Sequence, residues 1–144
     1  YTADSQSDLL GLGVSAISAL GNSYSQNHKD LAGYYYSIEH QGSAIEKGLT
    51  LGKDDLIRQR VISDIMCNSM LDKTTISLAF DIDFDQYFAD ELQQLTPFIE
   101  DGLVTNLPYA VIVAPKAQLL LRSICMVFDA YLGLATGQKY SATI

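Results

Sequence analysis

From residue 54 onward apolar residues recur at helical intervals. Ile57, Val61, Ile62, Ile65 and Met66 form one stripe spaced by threes and fours, which predicts a helix capped by Asp54. Asp72 is placed to cap a shorter helix running to about Phe80. Asp83 and Gln86 stand at capping-box spacing, with Ile82 and Tyr87 at the hydrophobic-staple positions. The helix they open carries Phe84, Tyr87, Phe88, Leu92 and Leu95 on one face, with Pro97 expected to kink or end it and Asp101-Gly102 to close the segment. Leu103-Val104-Thr105 and Ala110 to Val113 flank Asn106-Leu107-Pro108-Tyr109 and predict a β-hairpin. After Pro115 a last long helix is predicted to turn Ala117, Leu120, Leu121, Ile124, Phe128 and Tyr131 inward. Gly133 and Gly137 would end it, leaving a loose tail to Ile144.

The first third is patterned differently. Residues 1–8 are polar and expected to be extended or frayed. Leu9 to Ser18 is a glycine-punctuated apolar run that reads as a strand, with no partner in view because the next clear strand signal lies beyond residue 100. Gly11 and Gly13 are followed by neither a third spaced glycine nor a Gly-Lys-Ser/Thr, so a phosphate loop is not indicated. Ser25 or Asn27 is expected to cap a helix to about Glu39, stopped by Gly42. Tyr34, Tyr35 and Tyr36 cannot share one face of it, so at least one should be exposed or packed on another domain. Residues 43–53, with Gly48 and Gly52, read as a loop with at most a short extended piece. The expected fold class is mainly α with a small β-hairpin. Its helix-helix-helix-hairpin order over residues 54–144 is that of a winged-helix-like domain, residues 26–53 being a linking helix and loop.

Composition narrows the functions. The 144 residues are 48% hydrophobic, enough for a core and too much for disorder, and carry a net charge of −8. That charge opposes binding to nucleic acid or to an anionic membrane surface. The third predicted helix, the one a winged helix would place in a DNA groove, carries Asp83, Asp85, Asp90, Glu91, Glu100 and Asp101 and no Lys or Arg. The longest purely apolar stretches, such as Ala110 to Ala114, are far too short to span a bilayer. A chain that begins Tyr1-Thr2-Ala3 has the look of a piece of a longer protein.

Chemistry-bearing residues are sparse. His28 and His40 lack metal-ligand spacing, and no nucleophile motif is present. Cys67 and Cys125 each sit within an apolar helical pattern and read as reduced buried thiols, with a disulfide or a reactive thiol as the alternatives. Acidic pairs such as Asp54/Asp55 and Glu100/Asp101 lie where helix ends are expected and serve caps and dipoles. Arg122, between Leu119-Leu120-Leu121 and Ile124-Cys125-Met126, looks enclosed by apolar neighbours. It either reaches the surface, pairs with an acid, or faces a site where anionic groups arrive, and Arg58 and Arg60 pose the same question.

Five segments in order carry a resemblance: Asp8 to Ser18 (DLLGLGVSAIS), Gly21 to Asn27 (GNSYSQN), Tyr87 to Leu92 (YFADEL), Asp101 to Val104 (DGLV) and Leu121 to Leu132 (LRSICMVFDAYL). Together the chain resembles the C-terminal part of oxygen-independent coproporphyrinogen III oxidase. The related haem-chaperone branch typically has a Gly-Ala-His-Ser version of the first motif, so Gly13-Val14-Ser15-Ala16-Ile17-Ser18 favours the oxidase branch. The resemblance implies a cytoplasmic radical-SAM enzyme of anaerobic haem synthesis. It converts two propionates of coproporphyrinogen III to vinyls with release of CO2, using a [4Fe–4S] cluster and S-adenosylmethionine held in an N-terminal barrel.

It further implies that residues 1–25 are a remnant strand and helix of that barrel, and that Ile17 lies beside bound S-adenosylmethionine. With two cysteines and no cluster motif, the chain alone is expected to be inactive and to hold neither cofactor. No catalytic residue and no metal ligand is assigned to it. Arg122 is the candidate for contact with substrate propionates. The expected partners are the barrel of the same chain and the porphyrinogen, the fragment itself being a monomer unless an exposed strand edge pairs two copies. The alternative from another class is an acidic winged-helix-like protein-interaction module without catalysis.

Overall fold

A computed structural model describes residues 7–132, so the expectations for residues 1–6, for Gly133 and Gly137 and for the tail lie outside it. The chain divides into two compact units, the break falling between Leu56 and Ile57.

The first unit contains strands β1 (Ile17–Leu20), β2 (Ser23–Asn27) and β3 (Ile45–Thr50) and helix α1 (Leu31–Gln41). The strands form an antiparallel sheet in the order β1-β2-β3, and an isolated bridge joins Leu9 to Ala19. The expectation of a lone, orphaned strand is therefore wrong. Gly21-Asn22 is a two-residue turn with Gly21 at φ +54°, and it folds β1 directly back onto β2. The polar run Ser23 to Asn27 concealed its partner strand because it lacks apolar alternation. β3 likewise replaces most of the expected loop. Ser25 and Asn27 lie within β2, and the α1 cap is Asp30, whose carboxylate accepts from the Gly33 N–H. Gly42 ends α1 as expected, in the left-handed conformation, its N–H donating to Ile38 O. Tyr35 and Tyr36 are exposed, as their spacing required.

The second unit is built on α2 (Lys53–Asn68), whose Ile57, Val61 and Ile65 are fully buried. This helix begins one residue before Asp54. The Gly52 N–H donates to the Asp55 carboxylate, the return half of a capping box in which glycine has no side chain for the forward half. Strand β4 (Met70–Asp72) follows, then α3 (Lys73–Phe80) capped by Asp72 and α4 (Phe84–Tyr87) capped by Asp83 as the spacing predicts. The long helix expected after Asp83 is three short pieces: α4, α5 (Ala89–Gln94) and α6 (Thr96–Glu100). The breaks fall at Phe88 and Leu95. Pro97 sits in the first turn of α6, where its missing N–H costs nothing, so it starts a helix and does not end one.

Hairpin β5 (Val104–Asn106) and β6 (Ala110–Val113) forms as predicted, and β4 adds to it in the order β4-β6-β5. Two three-stranded sheets thus replace the single hairpin of the expected mainly α class. Beyond Pro115 the chain makes a 3₁₀ turn, Pro115–Leu120, before α7 (Leu121–Met126). Ala117, Leu121, Ile124 and Phe128 enter the core, but the tighter turn rotates Leu120 outward, and Tyr131 beyond the helix is exposed. Phe84, Phe88, Leu95, Leu71 and Ile76 complete that core.

Candidate functional site

The first two motif segments fold into one clasp. Gly11 donates to Ser18 Oγ at 3.0 Å, and Asn27 Nδ2 reaches back to Gly13 O at 2.8 Å. Ser15, a non-glycine residue at φ +59°, is held by donating to His28 O at 2.8 Å, while the Asn27 N–H donates to Ala16 O at 3.0 Å. Gly11 is required sterically, since a Cβ there would lie 2.5 Å from Ile17 O. His28 is in turn fixed by a 2.9 Å hydrogen bond between its Nε2 and the hydroxyl of buried Ser37 on α1.

This clasp delivers Ile17 to the open face of the sheet. The register places Ile17, Gln26 and Lys47 in one cross-strand row and Ala19, Tyr24 and Leu49 in the next row on the same face. Ile17, Tyr24, Gln26, Lys47 and Leu49 line a recess of about 390 Å³, with Ile17 53% exposed. Such a surface offers apolar contact beside one amide and one ammonium, suited to a ligand with an apolar body and polar groups. Ile17, expected from the resemblance, thus lies beside Lys47 and Leu49, which the sequence does not single out. Their signal was the period-two spacing of Ile45, Lys47 and Leu49 in what read as a loop.

The other candidate residues fall in the second unit. Arg58 ion-pairs with Glu91 at 2.7 Å, donates to Phe128 O at 3.1 Å and lies 5.4 Å from the centre of the Phe88 ring. It thereby joins the YFADEL segment to LRSICMVFDAYL through Glu91 of the first and Phe128 of the second. Arg60 pairs with Asp64 one turn on at 2.8 Å. Arg122 is exposed on α7 and not enclosed, because only Leu121, Ile124 and Cys125 of its apolar neighbours turn into the core, while Leu119 and Met126 are exposed with it. Among the described residues it has no ion-pair or hydrogen-bond partner, whereas the other two arginines are paired with acids.

Cys67 on α2 and Cys125 on α7 are not bridged to each other. Cys125 is buried, and its thiol is pushed up to about 11, chiefly by burial and secondarily by the charge of Cys67. No group of three His, Cys, Asp or Glu among the described residues is placed to hold a metal ion. The chain's two cysteines do not supply the three-thiolate donor set of a [4Fe–4S] cluster, so the residues present do not fit that group.

Residues 51–120 match the family described as the HemN C-terminal domain. This segment belongs to that family. The HemN C-terminal domain stretch opens at Leu51, just before α2, and closes at Leu120, the last residue of the 3₁₀ turn. Both Ile17 and Arg122 therefore lie outside it, while Arg58 and Arg60 lie inside.

Similarity extends over the whole chain. It is 46% identical over 145 residues to the oxygen-independent coproporphyrinogen III oxidase of Salmonella typhimurium, covering all of this chain and 32% of that protein. The Escherichia coli oxidase of the same name gives the same identity and coverage. The oxidase of Synechocystis is 43% identical over 92% of this chain and 29% of its own length. A solved structure described as coproporphyrinogen III oxidase (HemN) from Escherichia coli, a radical SAM enzyme, superposes with a TM-score of 0.85. It is 45% identical and covers 92% of this chain and 30% of its own. The chain spans about a third of the length of the relatives it matches. No described helix is long and apolar enough to cross a membrane.

Proposed function

We propose that this chain is the C-terminal accessory part of an oxygen-independent coproporphyrinogen III oxidase. It works in the cytoplasm beside an N-terminal radical-SAM barrel and caps the site where coproporphyrinogen III is decarboxylated oxidatively to protoporphyrinogen IX in haem biosynthesis. The observation that carries this is the 46% identity over the full chain to enzymes of that name. The hard chemistry belongs to a [4Fe–4S] cluster and S-adenosylmethionine in the full-length enzyme, and this chain alone is inactive.

In this reading residues 1–25 and the linking residues 26–53 work with the barrel. Ile17 gives S-adenosylmethionine an apolar contact, with Gln26 and Lys47 beside it. Residues 54–144 are a winged-helix-like accessory domain. The order α2, β4, α3, the α4–α6 run, β5 and β6, with β4-β6-β5 pairing, supports that description. Its acidic third-helix region opposes a DNA role and favours a packing one. The domain's mechanistic part is to exclude water from the radical site.

A chimera tests this. With this chain in place of the matching third of the Salmonella typhimurium enzyme, protoporphyrinogen IX formation should stay within about tenfold of the parent. In the same chimera Ile17→Ala should raise the apparent KM for S-adenosylmethionine by about tenfold. A chimera that loads its cluster and cleaves S-adenosylmethionine yet releases no CO2 would reject the assignment.

A further inference from the structure

The outer face of the last helix is unlike the outer face of an ordinary surface helix. The core side of this segment is Ala117, Leu121, Ile124, Cys125 and Phe128. Directly opposite, the helical rotation aligns Leu119, Arg122 and Met126 in one row. Leu119 is 94% exposed and Met126 41% exposed, where polar side chains would be expected. Between them stands the one arginine with no acid partner among the described residues, in a chain carrying seventeen acids. A guanidinium flanked by bare hydrocarbon complements a ligand that is itself a carboxylate on an apolar body.

We infer that this row docks one edge of an amphipathic polycarboxylate, a tetrapyrrole bearing propionates. Arg122 takes a propionate in a forked pair of charge-assisted hydrogen bonds, and Leu119 and Met126 seat the ring periphery beside it. The choice of a tetrapyrrole rests on the function proposed above, whereas the need for a carboxylate with an apolar flank rests on the row itself. The net charge of −8 sharpens the site, because it repels a tetra-anion from the rest of the surface. Arg122 is a positioning residue in this account, holding a side chain of the substrate and taking no part in bond making.

The test uses the 144-residue chain and coproporphyrin III, the fluorescent oxidised form of the porphyrinogen, titrated by fluorescence anisotropy. Arg122→Gln should weaken binding by about tenfold, and Arg122→Lys, which keeps the charge but loses the fork, should recover only part of that. Leu119→Asn should weaken it by about threefold through lost apolar contact. Leu78→Asn, at an equally bare leucine on α3 that is 80% exposed, should leave binding unchanged, separating the site from general adsorption. Circular dichroism and melting of each variant establish that all are folded.

Three results would overturn the inference: no binding by the parent chain, equal binding by Arg122→Gln, or equal losses at Leu119 and Leu78. Equal binding by Arg122→Gln would mean that the porphyrin binds elsewhere on the chain. None of these bears on whether the chimera turns over, so the two proposals fail separately.

Discussion

Arg58 and Arg122 pose the same question in the sequence, each beside apolar residues of a predicted helix, and the fold gives them opposite fates. Arg58 finds Glu91 thirty-three positions away and the carbonyl of Phe128 seventy away, a choice only tertiary structure makes. Arg122 is left outside. Cysteine shows the same dependence, and here a measurement follows. With its thiol near 11, Cys125 holds about a hundredfold less thiolate at pH 8 than an ordinary cysteine, and it is also shielded. Iodoacetamide at that pH, followed by peptide mass spectrometry, should label half-exposed Cys67 first and Cys125 only after denaturation. Equal rates would contradict the burial. Because the fold favours the neutral thiol while the unfolded chain ionises near 9, the stabilisation is intact at neutral pH. It is lost as pH rises from about 9 to 11.

At the scale of elements, what the sequence made legible was whatever a local physical rule decides. Asp72 and Asp83 cap helices because a short carboxylate two or three residues upstream satisfies a bare N–H, and that needs no knowledge of the fold. The β5–β6 hairpin and the stripe of α2 were legible for the same reason. Elements settled by distant partners were not. β2 is polar along its length and is a strand because β1 and β3 lie on either side of it. The α4–α6 run breaks where Phe88 and Leu95 turn into the core, overriding a continuous helical pattern. Ile17 was named through resemblance, whereas Lys47 and Leu49 carry only a faint period-two signal, and the register alone sets them beside it. Gly42 offers a local test. At φ +69° an alanine is strained, so Gly42→Ala should lower the stability of α1 by about 1 kcal/mol, read as faster amide exchange along that helix.

For the molecule as a whole, stability is unevenly shared. Nearly all fully buried apolar side chains lie from Ile57 onward, while in residues 7–56 only Ala44 and Leu51 are buried apolar residues. Native-state hydrogen exchange should therefore show slow amides in α2, β6 and α7 and much faster ones in β1, β2 and β3. Uniform protection across both units would show that the sheet has support these contacts do not reveal. β3, all six of whose residues are exposed, also leaves its outer edge unpaired among the described residues. Such an edge is a template for another copy, and only Glu46 and Lys47 interrupt it with charge. Colloidal behaviour then rests on mutual repulsion between acidic molecules. Near pH 4.4, where net charge vanishes, or in strong salt, that barrier goes and separate copies are free to knit strand to strand.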